Sequence, residues 1–193
     1  GCGHCGCMGG QADGTEEIVK MIRSQRMNGA DFCKIMSTSG ATRGVLPGIT
    51  FTQEELDCAV SEAHRLGMPV SAHATSYEAV KMCIQAGVDR LEHGWWINLE
   101  GTETFMDSRL AEKIKEGGIM TCPTPAVMLS TLEFYSDHLK SGEDPSMRES
   151  YEGLKEYNDA MLSILKYQIG CGIEIAAGSD AGCRRAPTGM PIH

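Results

Sequence analysis

The chain has 193 residues, 41% of them hydrophobic and 22% charged, enough for one domain with a real core. A net charge of −9 argues against nucleic acid or an anionic membrane surface as the main partner. No apolar run approaches the ~18 residues that a membrane-spanning helix needs, and no leader peptide is visible.

Nine cysteines, most of them scattered through helix and strand patterns, read as small buried hydrophobes of a reducing compartment, which points to the cytoplasm. Residues Gly1 to Gly14 are glycine-rich and aperiodic, a loop. Within it Cys2, Cys5 and Cys7 crowd around His4 too tightly for a paired zinc-ligand set, so a plain loop is favoured over a structural metal. Thr15 is expected to cap a first helix, with Glu16 and Glu17 in its first turn and Asn28-Gly29 as its stop.

Ala30 to Met36 reads as a strand with Lys34 inside it, followed by a Ser/Thr/Gly loop from Ser37 to Thr50. Thr52 and Glu55 form a capping box for a second helix, which Gly67 ends. The apolar run Met68 to Ala72 is a strand that finishes on His73. Tyr77, Ala79, Val80, Cys83, Ile84 and Ala86 recur at helical spacing, with Gly87 as the stop. Val88 to Leu91 is the next strand, and it runs into Glu92-His93-Gly94. One strand–helix–strand unit therefore places a histidine at the carboxyl end of each of two successive strands, which favours a metal site over two structural histidines.

Trp95 and Trp96 suit a pocket wall or the capping of a rim. Asp107 to Gly117 is an amphipathic helix, Gly118 to Pro123 a short strand, and Ala126 to Leu139 a helix. A polar loop from Ser141 to Pro145 leads into a long helix, Ser146 to Gly170, with Tyr151, Leu154, Tyr157, Met161, Ile164 and Leu165 on its apolar side. Ile173 to Ala177 is the last strand, ending in Gly178-Ser179-Asp180. His64 and His138 read as surface residues.

Five strands alternating with helices describe a parallel sheet with helical crossovers. No G-x-G-x-x-G follows the first strand, which disfavours a dinucleotide fold. Polar residues at the strand ends, namely Lys34, His73, His93 and Asp180, favour a barrel. The two histidines and Asp180 are good ligands for zinc or a similar divalent cation. A protonated lysine is not a ligand, but Lys34 becomes one if it is deprotonated or converted to a carbamate by carbon dioxide.

The ordered set DFCKIM, SAHAT, LEHG and AAGSDAG resembles the amidohydrolase superfamily, in its imidazolonepropionase-like and Xaa-Pro dipeptidase-like branch. The intervals of thirty-nine, twenty and eighty-seven residues between Lys34, His73, His93 and Asp180 agree with that set. The loop GHCGCMGGQADGTEE is similar to the glycine-rich segment before the lysine strand of those proteins.

The resemblance implies a (β/α)8 barrel in which carboxylated Lys34 bridges two divalent metals, zinc by ligand type, and His73 and His93 bind the second. Asp180 touches the first metal and acts as the base. It also implies hydrolysis of an amide or other C–N bond in a dipeptide, an N-acyl amino acid or a cyclic amide. The alternatives from other classes are a metal-free, non-catalytic barrel and a lyase with a Schiff base on Lys34.

The family's first strand carries a His-x-His pair that is nowhere in these 193 residues. Because the chain starts at Gly1 and stops at His193, both ends read as cuts. By family order it holds about strands four to eight of the barrel as a single incomplete domain, residues 1–193, so activity of this length alone is not expected. His4 and the pair Arg184 and Arg185 are candidate substrate contacts, the arginines as a carboxylate clamp. Thr75 stands where relatives often carry an aromatic residue or a histidine. The expected partner is a small-molecule substrate, with neither nucleic acid nor membrane, and a homo-oligomer is compatible with the sequence.

Overall fold

The computed structural model describes residues 9–39, 48–142 and 145–180. In chain order the elements are α1 (Gly14–Met27), β1 (Cys33–Met36), α2 (Gln53–Arg65), β2 (Val70–Ala74), α3 (Tyr77–Ala86), β3 (Arg90–His93), α4 (Ser108–Glu116), β4 (Met120–Cys122), α5 (Ala126–Ser141) and α6 (Pro145–Gly170). The four strands form one parallel sheet in the order β1-β2-β3-β4. Each neighbouring pair is joined across a helix, the right-handed crossover pattern that parallel pairing demands.

Local chemistry explains where the elements begin and end. Thr52 and Glu55 make the expected capping box: the Glu55 amide donates to Thr52 Oγ1 and the Glu55 carboxylate accepts from the Thr52 amide. Ser76 accepts from the Ala79 amide at the start of α3, and Gly87 closes that helix at a φ of 83°. Helix α1 departs from expectation, because its cap is Asp13 rather than Thr15. Two of its unpaired first-turn donors go to carboxylates instead: Glu17 accepts from the Asp13 amide and Glu55 from the Gly14 amide.

The last expected strand, Ile173–Ala177, is present only as a single parallel bridge between Thr121 and Ile175. Thr121 N donates to Glu174 O, and Ala176 N donates to Thr121 O. The next rung would need an amide donor from residue 123, which is proline, so the ladder stops.

Side-chain parity divides the sheet into two faces. Ile35, Ala72, Leu91 and Thr121 are in register and each is at most 5% exposed. They meet the buried residues of the crossover helices, among them Ile18, Ile22, Leu56, Ala59, Val60, Val80 and Cys83. The opposite face carries Lys34, Ser71, Arg90 and Met120 in one row and Met36, His73, Glu92 and Cys122 in the next. The dry face holds the fold together, and the polar face is left for chemistry.

Two side chains set the relation between elements. Asp89 closes the entry to β2 and β3: its amide donates to Val70 O, and its carboxylate accepts the Val70 amide at 2.7 Å and lies 2.8 Å from His64 Nε2. Glu62 on α2 lies between Arg23 of α1 and Arg65, at 2.6 Å from each. Hydrogen bonds from Arg65 and then Arg23 pull its carboxyl down to about 2. Helix α6 buries Asn158, Met161, Ile164 and Gln168. The two polar members of that stripe were outside the apolar side expected from sequence.

Replacing Asp89 with alanine strands the buried Val70 amide and should cost about 1–3 kcal/mol in urea unfolding. The Glu62 contribution is fully present above the ordinary carboxylate range and disappears as pH falls through about 2. The difference in urea midpoint between wild type and Glu62→Gln should therefore be full at pH 6 and shrink steadily towards pH 2.

Candidate functional site

His73 and His93 finish adjacent parallel strands, in a ladder where Ala74 is the register partner of His93 and Glu92 that of His73. Parity alone would put the two imidazoles on opposite faces of the sheet. The backbone prevents this, since His93 has a φ of 68°, in the left-handed region. Its ring comes to 4.6 Å from that of His73, centroid to centroid, in an edge-to-face arrangement. Both are buried, at 6% and 9% exposure.

Each histidine is anchored from a neighbouring strand. The His73 carbonyl accepts both the amide of Ser37, at 3.0 Å, and its hydroxyl, at 2.5 Å. His93 Nδ1 lies 2.8 Å from Thr124 Oγ1. Thr124 follows β4, is 4% exposed, and itself has a φ of 49°. Asp180 is the third non-glycine residue with positive φ, at 51°. His93 and Thr124 thus lie at or just beyond the ends of β3 and β4, and Asp180 follows the Ile175 bridge. Such backbone costs roughly 1–3 kcal/mol per residue and persists only where the surroundings enforce it.

Gly94 makes the turn after His93 possible. Its φ is 58°, and a Cβ there would sit 2.7 Å from Thr121 Cγ2. Its carbonyl accepts Gln168 Nε2 at 2.9 Å in a buried bond from α6. Trp95 and Trp96 are both buried, Trp96 against Tyr167 and Trp95 between His93 and Tyr157. They form the packed rim rather than an open pocket wall.

Below the histidines the polar face is a small network. Ser71 Oγ donates to Glu92 Oε1 at 2.7 Å. The Cys122 thiol is pushed up to about 11 by burial and then by the Glu92 carboxylate, against opposing fields from Lys34 and Arg90. Strand parity places Lys34 on the same face as His73. Lys34 is exposed, its Cα opposite Ser71. Asp180 is exposed at the end of the described chain.

Of the residues expected from sequence, then, the structure joins His73 and His93 directly. Among the described residues no three His, Cys, Asp or Glu side chains converge tightly enough to enclose a cation. His4, Arg184, Arg185 and the Cys2, Cys5 and Cys7 cluster lie outside the described residues. His64 and His138 are exposed on helices as expected. Thr75 is tied to Thr38, hydroxyl to hydroxyl, at 2.8 Å. Thr124, Glu92 and Ser37 were missed, because nothing in a lone threonine, serine or glutamate announces a supporting bond. Only the Pro-Thr-Pro run after a strand hinted at an unusual backbone.

The amidohydrolase family profile matches residues 3–150. The chain belongs to the amidohydrolase family. It is 32% identical over 184 residues to ochratoxinase of Aspergillus niger, which takes in 94% of this chain and 35% of the fungal protein. The chain thus spans about a third of the length of that relative. The crystal structure of A. niger ochratoxinase is similar with a TM-score of 0.70 and 29% identity, over 88% of this chain and 35% of that one. A crystal structure of a Xaa-Pro dipeptidase with bound methionine in its active site is similar with a TM-score of 0.66 and 29% identity, over 95% and 46%. The parallel sheet with its crossover helices is accordingly part of an amidohydrolase TIM barrel.

Gly94→Ala tests whether the turn sets the His93 ring. The added Cβ meets Thr121 at a backbone angle that alanine avoids, so stability should fall by more than about 1 kcal/mol. The His93 imidazole resonances should move while those of the exposed His64 and His138 stay in place.

Proposed function

We propose that this chain carries half of the metal site of a hydrolase that cleaves an amide or related C–N bond. The observation that carries it is the buried pair His73 and His93, edge to face at 4.6 Å at the ends of adjacent parallel strands. That is the rim where barrel enzymes assemble their sites. Two neutral imidazoles are a fitting donor set for zinc or a similar ion, and the Thr124 contact to Nδ1 is the kind of outer partner that ligating histidines have.

In this proposal His73 and His93 would hold one cation, Lys34 as a carbamate would contribute to it from β1, and Asp180 would serve a neighbouring cation and act as the base. A divalent cation bound there lowers the pKa of water towards neutrality and polarises a carbonyl. Asp180 accepts the proton of the attacking water and returns it to the departing amine. An exposed carboxylate such as that of Asp180 supports this role, since it can exchange protons with both. The histidine pair is buried, and Trp95 packs against His93, which supports a site partly shielded from bulk water.

The substrate class we favour is a dipeptide, an N-acyl amino acid or a cyclic amide. Support comes from the similarity to a Xaa-Pro dipeptidase and to ochratoxinase. Arg184 and Arg185, which follow Asp180 in sequence, are the proposed carboxylate clamp, and His4 a proposed contact. These arginines would select substrates with a free carboxylate.

The test is cation loading followed by hydrolysis. Protein equilibrated with Zn²⁺ or Co²⁺ should bind it, and His73→Asn or His93→Asn should each lower the affinity by at least ~10-fold. In the whole barrel, Asp180→Asn should lower kcat for dipeptides by roughly 100-fold or more while the cation stays bound. Wild-type protein that takes up no divalent cation, or histidine variants that bind as wild type does, would end the proposal.

A further inference from the structure

Thr124, just past β4, is a buried side chain that reaches the imidazole of His93 on the neighbouring strand. Its Oγ1 lies 2.8 Å from His93 Nδ1, and the residue is 4% exposed. It is held at a φ of 49° between Pro123 and Pro125. Such an angle is unusual for any β-branched residue. The residue before a proline is further restricted by the ring that follows.

Threonine ordinarily favours extended backbone. This one is turned so that its hydroxyl meets the ring of His93, whose own backbone is also left-handed. Two unfavourable conformations on neighbouring strand ends thus accompany this contact.

We propose that Thr124 is a positioning residue for His93. It accepts the proton of Nδ1, so that the ring is held in the Nδ1–H tautomer and cation binding falls to Nε2. This depends on the cation site proposed above only in its last step, since the tautomer is a property of the protein without any ion. The neighbouring hydroxyl of Thr121 supplies a contrast. It is equally buried, it sits one residue before Cys122, and it has no hydrogen-bond partner.

The experiment compares wild type with Thr124→Val, Thr124→Ser and Thr121→Val. Imidazole ¹⁵N resonances, with His93 assigned by its loss in His93→Gln, report the tautomer without added metal. Zn²⁺ titration against a chromophoric chelator reports affinity. Wild type and Thr124→Ser should show the Nδ1–H form, and Thr124→Val should populate the Nε2–H form. Zn²⁺ affinity should fall ~10- to 100-fold in Thr124→Val and return to near the wild-type value in Thr124→Ser. Thr121→Val should match wild type in both readouts, which separates loss of this contact from the general loss of a buried hydroxyl.

An Nε2–H form in wild type, or an unchanged tautomer in folded Thr124→Val, would overturn the inference. If wild type binds no Zn²⁺ yet the tautomer changes as expected, the metal reading fails and the role of Thr124 stands. If Thr124→Val does not fold, Thr124→Ser and the wild-type tautomer still decide it.

Discussion

The parallel pairing of β2 with β3 is the constraint on which the rest depends. Asp89 sets it from the bottom, clamping the Val70 backbone through both its amide and its carboxylate. Burial raises the Asp89 carboxyl, but the Val70 amide and the His64 ring pull it further the other way, and the net direction is down. Once Ser71 lies opposite Arg90, the top of the ladder is determined, and with it the level at which the two histidines meet. A slip by one residue would carry His73 to the face packed against helices.

The sheet then separates tasks by face. Aliphatic residues on one side are buried by α1, α2, α3 and the helices after them, and a single ladder stiffens the whole. The other side carries Ser71, hydrogen-bonded to Glu92, with His73 and Cys122 in register on either side of Glu92 and Lys34 opposite Ser71. Rigid strands aim these groups better than loops would.

Most of the fold was legible in the sequence because alternation of helix and strand patterns is a local signal. The capping box at Thr52 and the stop at Gly87 appear where spacing put them, and the strand that carries His73 is present, shifted to Val70–Ala74. The α1 cap was misplaced because its donors are met by Glu17 and by Glu55, and the latter lies on another helix. The strand at Ile173–Ala177 shrank to one bridge because Pro123, on the strand beside it, has no amide to offer. In the site, His73 and His93 were visible as residue types at strand ends. Their meeting was not, because it needs a left-handed backbone at His93 that overrides parity. Thr124 was invisible for a similar reason: its role lies in a contact thirty-one residues away in sequence.

The left-handed rim has an evolutionary side. At His93, Thr124 and Asp180 the residue that would relax the main chain is glycine, and glycine has no imidazole, hydroxyl or carboxylate to offer. Selection for thermal robustness alone would therefore drift towards a firmer but emptier mouth. A directed-evolution campaign on this chain would need to screen for function at every round, or the easiest gains would come from erasing the side chains that face the opening.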